Sequence, residues 1–368
     1  MNSSRHGSVE LLRSLLMFFV VVWHCACHGL WAKLDSFEVW GYSFLMWHVP
    51  AFVAISGWFG VRFKPSKFLR LYGLVFLYSV LGWMYGIFVE GHGVDLLYVR
   101  GGWFAGAYFV LMLVADFVNE AIERISARRL LGAWLLMTFA CVVNWLPYVK
   151  SCSGISTDGI GGVGGASFFA LFYVYVTTRL IRRGVESQWF EKMVGVWSPK
   201  LVGRVFVIVC GCYALAFSVC CLIARTLFHG VNCYKIIELN SYLSPQVILF
   251  AIALVVLFVE GSIMLPAWMN RVALFVSPSA FGIYLLHECT PFGRNLYLVP
   301  ERYLSDVFHL PIWLNILLSG IIVFLIALLC DLVRRMIMFY PMRLSLNQFL
   351  ERLDNHWTRV VGVEPRRQ

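Results

Sequence analysis

Four places along the chain put side chains capable of proton transfer, anion binding or metal ligation inside or beside apolar runs. The first is Glu10-Leu11-Leu12-Arg13, followed after ten residues by His24. Eleven helical steps of 100° bring His24 back to within about 20° of Arg13, displaced by about 16 Å along the axis. One helix face would then present a guanidinium near one end and an imidazole deep in the apolar segment. Such an imidazole is a candidate general base or proton relay. The plainer alternatives are an interfacial anchor for Arg13 and a helix-to-helix hydrogen bond for His24. His24 and His28, at i and i+4, also suggest a metal pair, but no carboxylate or further His lies nearby in sequence to complete a site.

The second place is His48-Val49-Pro50, which leads to Ser56-Gly57-Trp58. Pro50 frees a backbone carbonyl in mid-segment. Ser56-Gly57 forms a small-residue spot where a backbone or a slim ligand can approach, or where two helices simply pack. The third is Lys67 with Arg70, one helical turn apart in a basic run that begins at Arg62. That pair could clamp a phosphate or serve only as a topology signal. The last is His287-Glu288. Adjacent residues on a helix project about 100° apart, so the two need not touch each other to line one cavity; an exposed loop would hold them equally well.

The elements that must position these groups are membrane helices. Of 368 residues, 60% are hydrophobic and 14% charged, with a mean hydropathy of +0.76. Soluble domains run at about 45–50% apolar and about 25% charged, so the composition excludes a soluble fold. A span needs about 20 mainly apolar residues. Dividing the chain at polar and Gly/Pro-rich breaks gives about ten, at 9–30, 39–60, 69–89, 102–118, 130–148, 163–181, 203–224, 245–264, 274–290 and 312–333. The ninth begins at Ser277-Pro278 and reads as a short, broken or re-entrant candidate. The fold class expected is therefore all-α, a polytopic bundle. A charge at the bilayer centre costs about 2.5–3.5 kcal/mol even on a lenient scale, which makes each intramembrane ionisable group a functional candidate.

Orientation follows from the basic residues. With the N-terminus inside, 23 of the 30 Lys and Arg fall in inner segments and 7 in outer ones, which places both termini in the cytoplasm. The net charge of +10 thus arises from clusters between apolar runs, a pattern that points away from nucleic acid. The apolar stretch after Arg5 and Arg13 reads as a retained first span rather than a cleaved signal, because no small-residue cleavage site follows it. Residues 1–333 form one transmembrane domain. In the basic tail 334–368, Leu346, Phe349, Leu350, Leu353, Trp357, Val360 and Val361 recur at helical spacing, which suggests an amphipathic helix on the inner leaflet. The 11 cysteines include no CxxC pair, which removes zinc-ribbon and thioredoxin readings. Many sit in apolar runs as small hydrophobes, and nothing in the sequence supports an outer-loop disulfide, for instance between Cys152 and Cys233.

Taken together, Arg13-x10-His24, His48-Val49-Pro50 leading to Ile55-Ser56-Gly57-Trp58, the basic run to Arg70, Gly102-Trp103-Phe104 and Ser279-Ala280-Phe281-Gly282-Ile283-Tyr284-Leu285-Leu286-His287-Glu288 resemble the acyltransferase-3 family of integral membrane O-acyltransferases. The resemblance covers most of the chain. It implies transfer of an acyl group, commonly acetyl, from cytoplasmic acyl-CoA to a hydroxyl of a cell-surface polysaccharide or lipid-linked carbohydrate. It also implies His24 as catalytic base with Arg13 as its partner, and the basic pair as donor-binding. The family's Arg-x-x-Arg reads Lys67-Phe68-Leu69-Arg70 here, and Lys keeps the charge but not the bidentate fork.

On this reading Lys67, Arg70, Ser56 and Gly57 hold the acetyl-CoA or other acyl-CoA donor. His48, His287 and Glu288 line the acceptor side, no metal is needed, and the protein resides in a bacterial cytoplasmic (inner) membrane. A proton-coupled transporter of a small solute or glycan precursor is the alternative for buried ions in such a bundle. Duplicated halves with matching broken helices, the usual pointer to a transporter site, are not visible.

Overall fold

A computed structural model describes residues 7–29, 43–91, 102–145, 167–187, 198–227, 240–261, 263–339 and 343–361. Cys152 and Cys233 lie outside these residues. The described chain is helical, with no strand among the described residues. The helices are α1 (Gly7–His24), α2 (His48–Phe59), α3 (Pro65–Phe88), α4 (Trp103–Arg124), α5 (Ala127–Trp145), α6 (Phe168–Val185), α7 (Pro199–Leu227), α8 (Pro245–Glu260), α9 (Ala267–Val276), α10 (Ala280–Cys289), α11 (Pro291–Asp306), α12 (Ile312–Phe339) and α13 (Arg343–Val361).

Each of the ten expected segments contains a helix. Among the described residues, six stretches are long and apolar enough to cross a membrane: Gly7–His28, Pro65–Phe88, Trp103–Arg124, Pro199–Cys220, Ala267–Cys289 and Ile312–Ile337. Ser43–Phe59 and Pro245–Glu260 are shorter apolar helices. The ninth segment differs from its expected form. It begins at Ala267, and the turn Ser277–Ser279 tightens to 3₁₀ geometry and joins α9 to α10. Pro278, at the first turn of that insert, is accommodated there without ending the helix, so the segment is a 23-residue helical stretch with one tightened turn, long and apolar enough to cross a membrane.

The outer surface is apolar. Phe117, Phe139, Leu136, Val207, Leu329 and Met336 are all exposed; a water-soluble protein would bury side chains of this kind or pair them with a partner, whereas lipid solvates them. Inside, α1 is the hub and packs against α2, α8, α9, α10 and α12. Val9, Leu12, Leu16, Val20 and Trp23 are buried along it at helical spacing. Small residues set the closest approaches. A Cβ on Gly57 would lie 2.9 Å from the Tyr175 carbonyl oxygen and from Thr178 Cβ of α6, and one on Gly320 of α12 would lie 2.7 Å from Val22. Buried Asp331 accepts from Tyr78 (3.0 Å) and Arg334 (2.7 Å), which ties α3 to α12.

Between α2 and α3 the chain runs as an irregular segment, and side chains of α4 and α6 pair with three of its backbone groups. The Val61 N–H donates to Tyr175 Oη (3.1 Å) and its carbonyl accepts from Asn119 (2.8 Å). The Phe63 N–H donates to Asp116 (3.0 Å). At the start of α3, the Ser66 N–H and hydroxyl both donate to Asp354 of α13, at 2.9 and 2.6 Å. Edge-on packing of Phe63 against Trp357 adds to this seam. The tail helix is thus fastened to the segment that carries Arg62, Lys64, Lys67 and Arg70.

Candidate functional site

Two constellations form, one at each end of the face that α1 presents. At the Arg13 end, Arg13 donates to buried Glu10 at 2.6 Å and faces a cavity of about 1800 Å³. Ser56, Lys64, Lys67 and Arg70 line the same cavity, together with Arg62 and Arg179. Arg70 also donates to Asn347 of α13 (3.1 Å). The expected donor-binding residues therefore separate: Lys67, Arg70 and Ser56 reach the cavity, whereas Gly57 is taken up by the close contact of α2 with α6. Arg179 was not singled out in the sequence. It stands in a cluster with Arg182 and Arg183 that reads as an ordinary interfacial group, and only the packing of α6 on α2 turns it into the cavity, where its Nε is buried without a hydrogen-bond partner among the described residues.

At the other end, α1 passes at His24 into a π-helical turn, Cys25–Gly29. Single π turns of this kind are rare and occur frequently at functional sites. Here the turn sets the His28 ring 5.3 Å from that of His24. From α10, His287 places Nε2 2.9 Å from His24 Nδ1, and Glu288 places Oε2 3.2 Å from the same atom. His28 Nε2 lies 3.4 Å from the Glu288 oxygen. Neighbours in sequence thus converge on one atom despite their angular separation on the helix. His287 is fully buried, and Glu288 is nearly so.

The hydrogen-bond chain assigns the tautomers. His287 Nδ1 lies 2.5 Å from the Ile283 carbonyl, which can only accept, so the His287 proton sits on Nδ1 and its Nε2 carries a lone pair. That lone pair accepts from His24 Nδ1–H. A neutral His24 then has its own lone pair on Nε2, the form a general base requires. The Glu288 carboxylate, beside Nδ1, is placed to balance the charge when Nε2 takes up a proton.

Tyr297 holds this corner and was also missed in the sequence. Its hydroxyl lies 2.8 Å from the His287 carbonyl and 3.3 Å from Glu288 Oε2. It belongs to α11, a helix polar enough to read as a loop, although Tyr297, Glu301 and Leu304 are buried at helical spacing. His48 stands apart from the His24 cluster. It is fully buried, its ring lies 6.2 Å from Tyr242, and neither ring nitrogen meets hydrogen-bond geometry with a described residue.

An aromatic column joins the two constellations. Tyr108, at the cavity wall, bonds Ser56 (3.1 Å) and stacks with Phe104. Phe104 meets Tyr284 edge-on, and Tyr284 meets His287 in the same way. The site thus offers a basic cavity at one end, an oriented imidazole at the other, and packed aromatic rings between them.

No curated protein and no solved structure matches the chain. Residues 6–335 do match the family model of the acyltransferase domain, a stretch that carries Arg13, His24, Ser56, Lys67, Arg70, Arg179, His287 and Glu288 and stops short of α13, which adds to the cavity wall. The chain belongs to the acyltransferase-3 family, the membrane acyltransferases its sequence motifs resemble.

Proposed function

We propose that the protein moves an acyl group, acetyl in the simplest case, from cytoplasmic acyl-CoA to a hydroxyl of a cell-surface or lipid-linked carbohydrate, with His24 as general base. The observation that carries this reading is the hydrogen-bonded chain from Ile283 through His287 to His24, with Glu288 alongside. The acceptor hydroxyl gives its proton to His24 Nε2 as its oxygen attacks the thioester carbonyl carbon. The carbon–sulfur bond then breaks, and the proton passes to the departing CoA sulfur. Glu288 stabilises the intervening imidazolium, and His287 keeps Nδ1 the protonated nitrogen.

The donor enters from the Arg13 end. CoA is polyanionic at one end and slim at the other, so its phosphates stay among Lys64, Lys67, Arg70 and Arg179 while pantetheine follows Tyr108 and Phe104 toward His24. His48, with Tyr242 near it and Trp103 packed on Tyr242, belongs to the acceptor side. In this arrangement the chain crosses a bacterial inner membrane ten times with both termini cytoplasmic. Arg13 near the start of α1 and Asp354 of α13 line one cavity, and an even number of crossings accounts for that.

Purified protein given labelled acetyl-CoA and a glycan mixture should move label to glycan hydroxyls. No transfer, together with solute flux in proteoliposomes without acyl-CoA, would replace this reading with a transporter. Changing Lys67 and Arg70 together to Ala removes two charge-assisted phosphate contacts, each nominally about 1.5–3 kcal/mol and less at a solvated mouth. The expected outcome is a rise of about tenfold or more in the KM for donor with kcat nearly unchanged, and Lys67→Arg should retain the original KM. A fall in kcat at constant KM would move these residues out of the donor site.

A further inference from the structure

The cluster around His24 also has the donor set of a transition-metal site. One ligand atom from each of His24, His28 and Glu288 lies within 4.8 Å of the other two. Zinc bonds of about 2.0–2.2 Å at tetrahedral angles set neighbouring ligand atoms about 3.3–3.6 Å apart. Two of the three separations, 3.2 and 3.4 Å, already have that size. His287 Nε2, 2.9 Å from His24 Nδ1, is a nearby fourth donor. The sequence offered only the His24–His28 pair; the missing carboxylate arrives from α10, more than 250 residues away.

Two imidazoles and one carboxylate form a set of intermediate softness, which suits zinc and its neighbours in the first transition row better than magnesium or calcium. His28 is half-exposed while His24 and Glu288 are largely buried, so a cation can reach the pocket past His28 and be held by groups already close together.

We propose that His24, His28 and Glu288 bind one zinc-class divalent cation, and that its occupancy is incompatible with His24 acting as a base. The second half rests on the acyl-transfer reading above; the first does not. His24 Nδ1 can offer one lone pair or one N–H. In the metal-free cluster it is an N–H that donates to His287. A bound cation needs the lone pair, so the proton moves to Nε2 or leaves, and Glu288 is drawn into neutralising the metal. With the proton on Nε2 no lone pair remains there to accept from a hydroxyl. With the proton lost to solvent, the metal's positive charge opposes protonation of Nε2. The cation is therefore an inhibitor that competes for the catalytic nitrogen, and it is not a cofactor.

Cobalt(II) serves as the probe because it takes zinc-like geometry and absorbs in the visible range. Full-length protein in detergent, stripped with EDTA, should develop a visible band that saturates at one cobalt per chain and disappears when zinc is added. His28→Ala and, independently, Glu288→Gln should each weaken cobalt binding at least tenfold. Zinc should abolish acyl transfer by the unaltered protein, and EDTA should restore it. His28→Ala, measured against its own metal-free rate, should tolerate at least tenfold more zinc. Absence of the band, or a band that both variants keep, overturns the site. A band at this site with transfer indifferent to zinc overturns the exclusion. If unaltered protein shows the band but never transfers an acyl group, the acyl-transfer reading fails and the metal site stands.

Discussion

The His24→Ala protein should transfer acyl groups about 10²–10⁴-fold more slowly than the unaltered chain, the range expected when one positioned general base is lost, and should bind acyl-CoA as before. The second half of this expectation follows from geometry. His24 sits eleven residues along α1 from Arg13, about 16 Å at helical rise, and the cations that would hold the donor line the cavity at the Arg13 end. A deleted imidazole leaves those contacts in place. It also leaves the hub packing of α1 largely intact, because the buried stripe is carried by Val9, Leu12, Leu16, Val20 and Trp23. Rate and donor affinity measured on the same detergent preparation check this. A parallel loss of both would assign His24 to the architecture of the bundle and remove it from the chemistry.

Glu288→Gln should lower kcat about 10²-fold while leaving the KM for donor within about twofold. Carboxylates that orient an imidazole in hydrolase triads are worth up to about 10⁴-fold when replaced by the isosteric amide. Here the orientation is shared, since His287 Nε2 fixes the His24 tautomer independently, so what is lost is chiefly the charge opposite the imidazolium. An amide also places N–H groups where His24 Nδ1 already bears a proton. Glu288→Asp restores the charge at a longer distance and should recover part of the rate. If instead Glu288→Gln and Glu288→Asp both lower thermal stability and yield without a selective effect on kcat, the carboxylate acts as a structural anchor for Tyr297 and α11.

Much of this was legible in the sequence for identifiable reasons. Helical periodicity alone placed Arg13 and His24 on one face, because a single helix carries both. The basic pair Lys67 and Arg70 was legible for the same reason, and both line one cavity. What the sequence withheld were relations between elements. The convergence of His287 and Glu288 on His24 Nδ1 depends on how α10 packs against α1 and on the π turn after His24. Gly57 was ambiguous between ligand approach and helix packing until α6 was seen pressed against it. Arg179 looked like one more interfacial cation. α11, with its polar composition, resembled a loop, although its buried face holds Tyr297 against the His24 cluster.

The most direct test is a single-turnover experiment. Purified protein is loaded with labelled acetyl-CoA in the absence of metal, acceptor glycan is added, and samples quenched in acid are divided into thioester, protein-bound and glycan-bound label. Direct attack by a hydroxyl that His24 deprotonates requires label to pass from thioester to glycan with no protein-bound pool, and requires the His24→Ala protein to retain its label as thioester. Label accumulating on the protein, or moving to glycan equally fast in His24→Ala, would contradict the account.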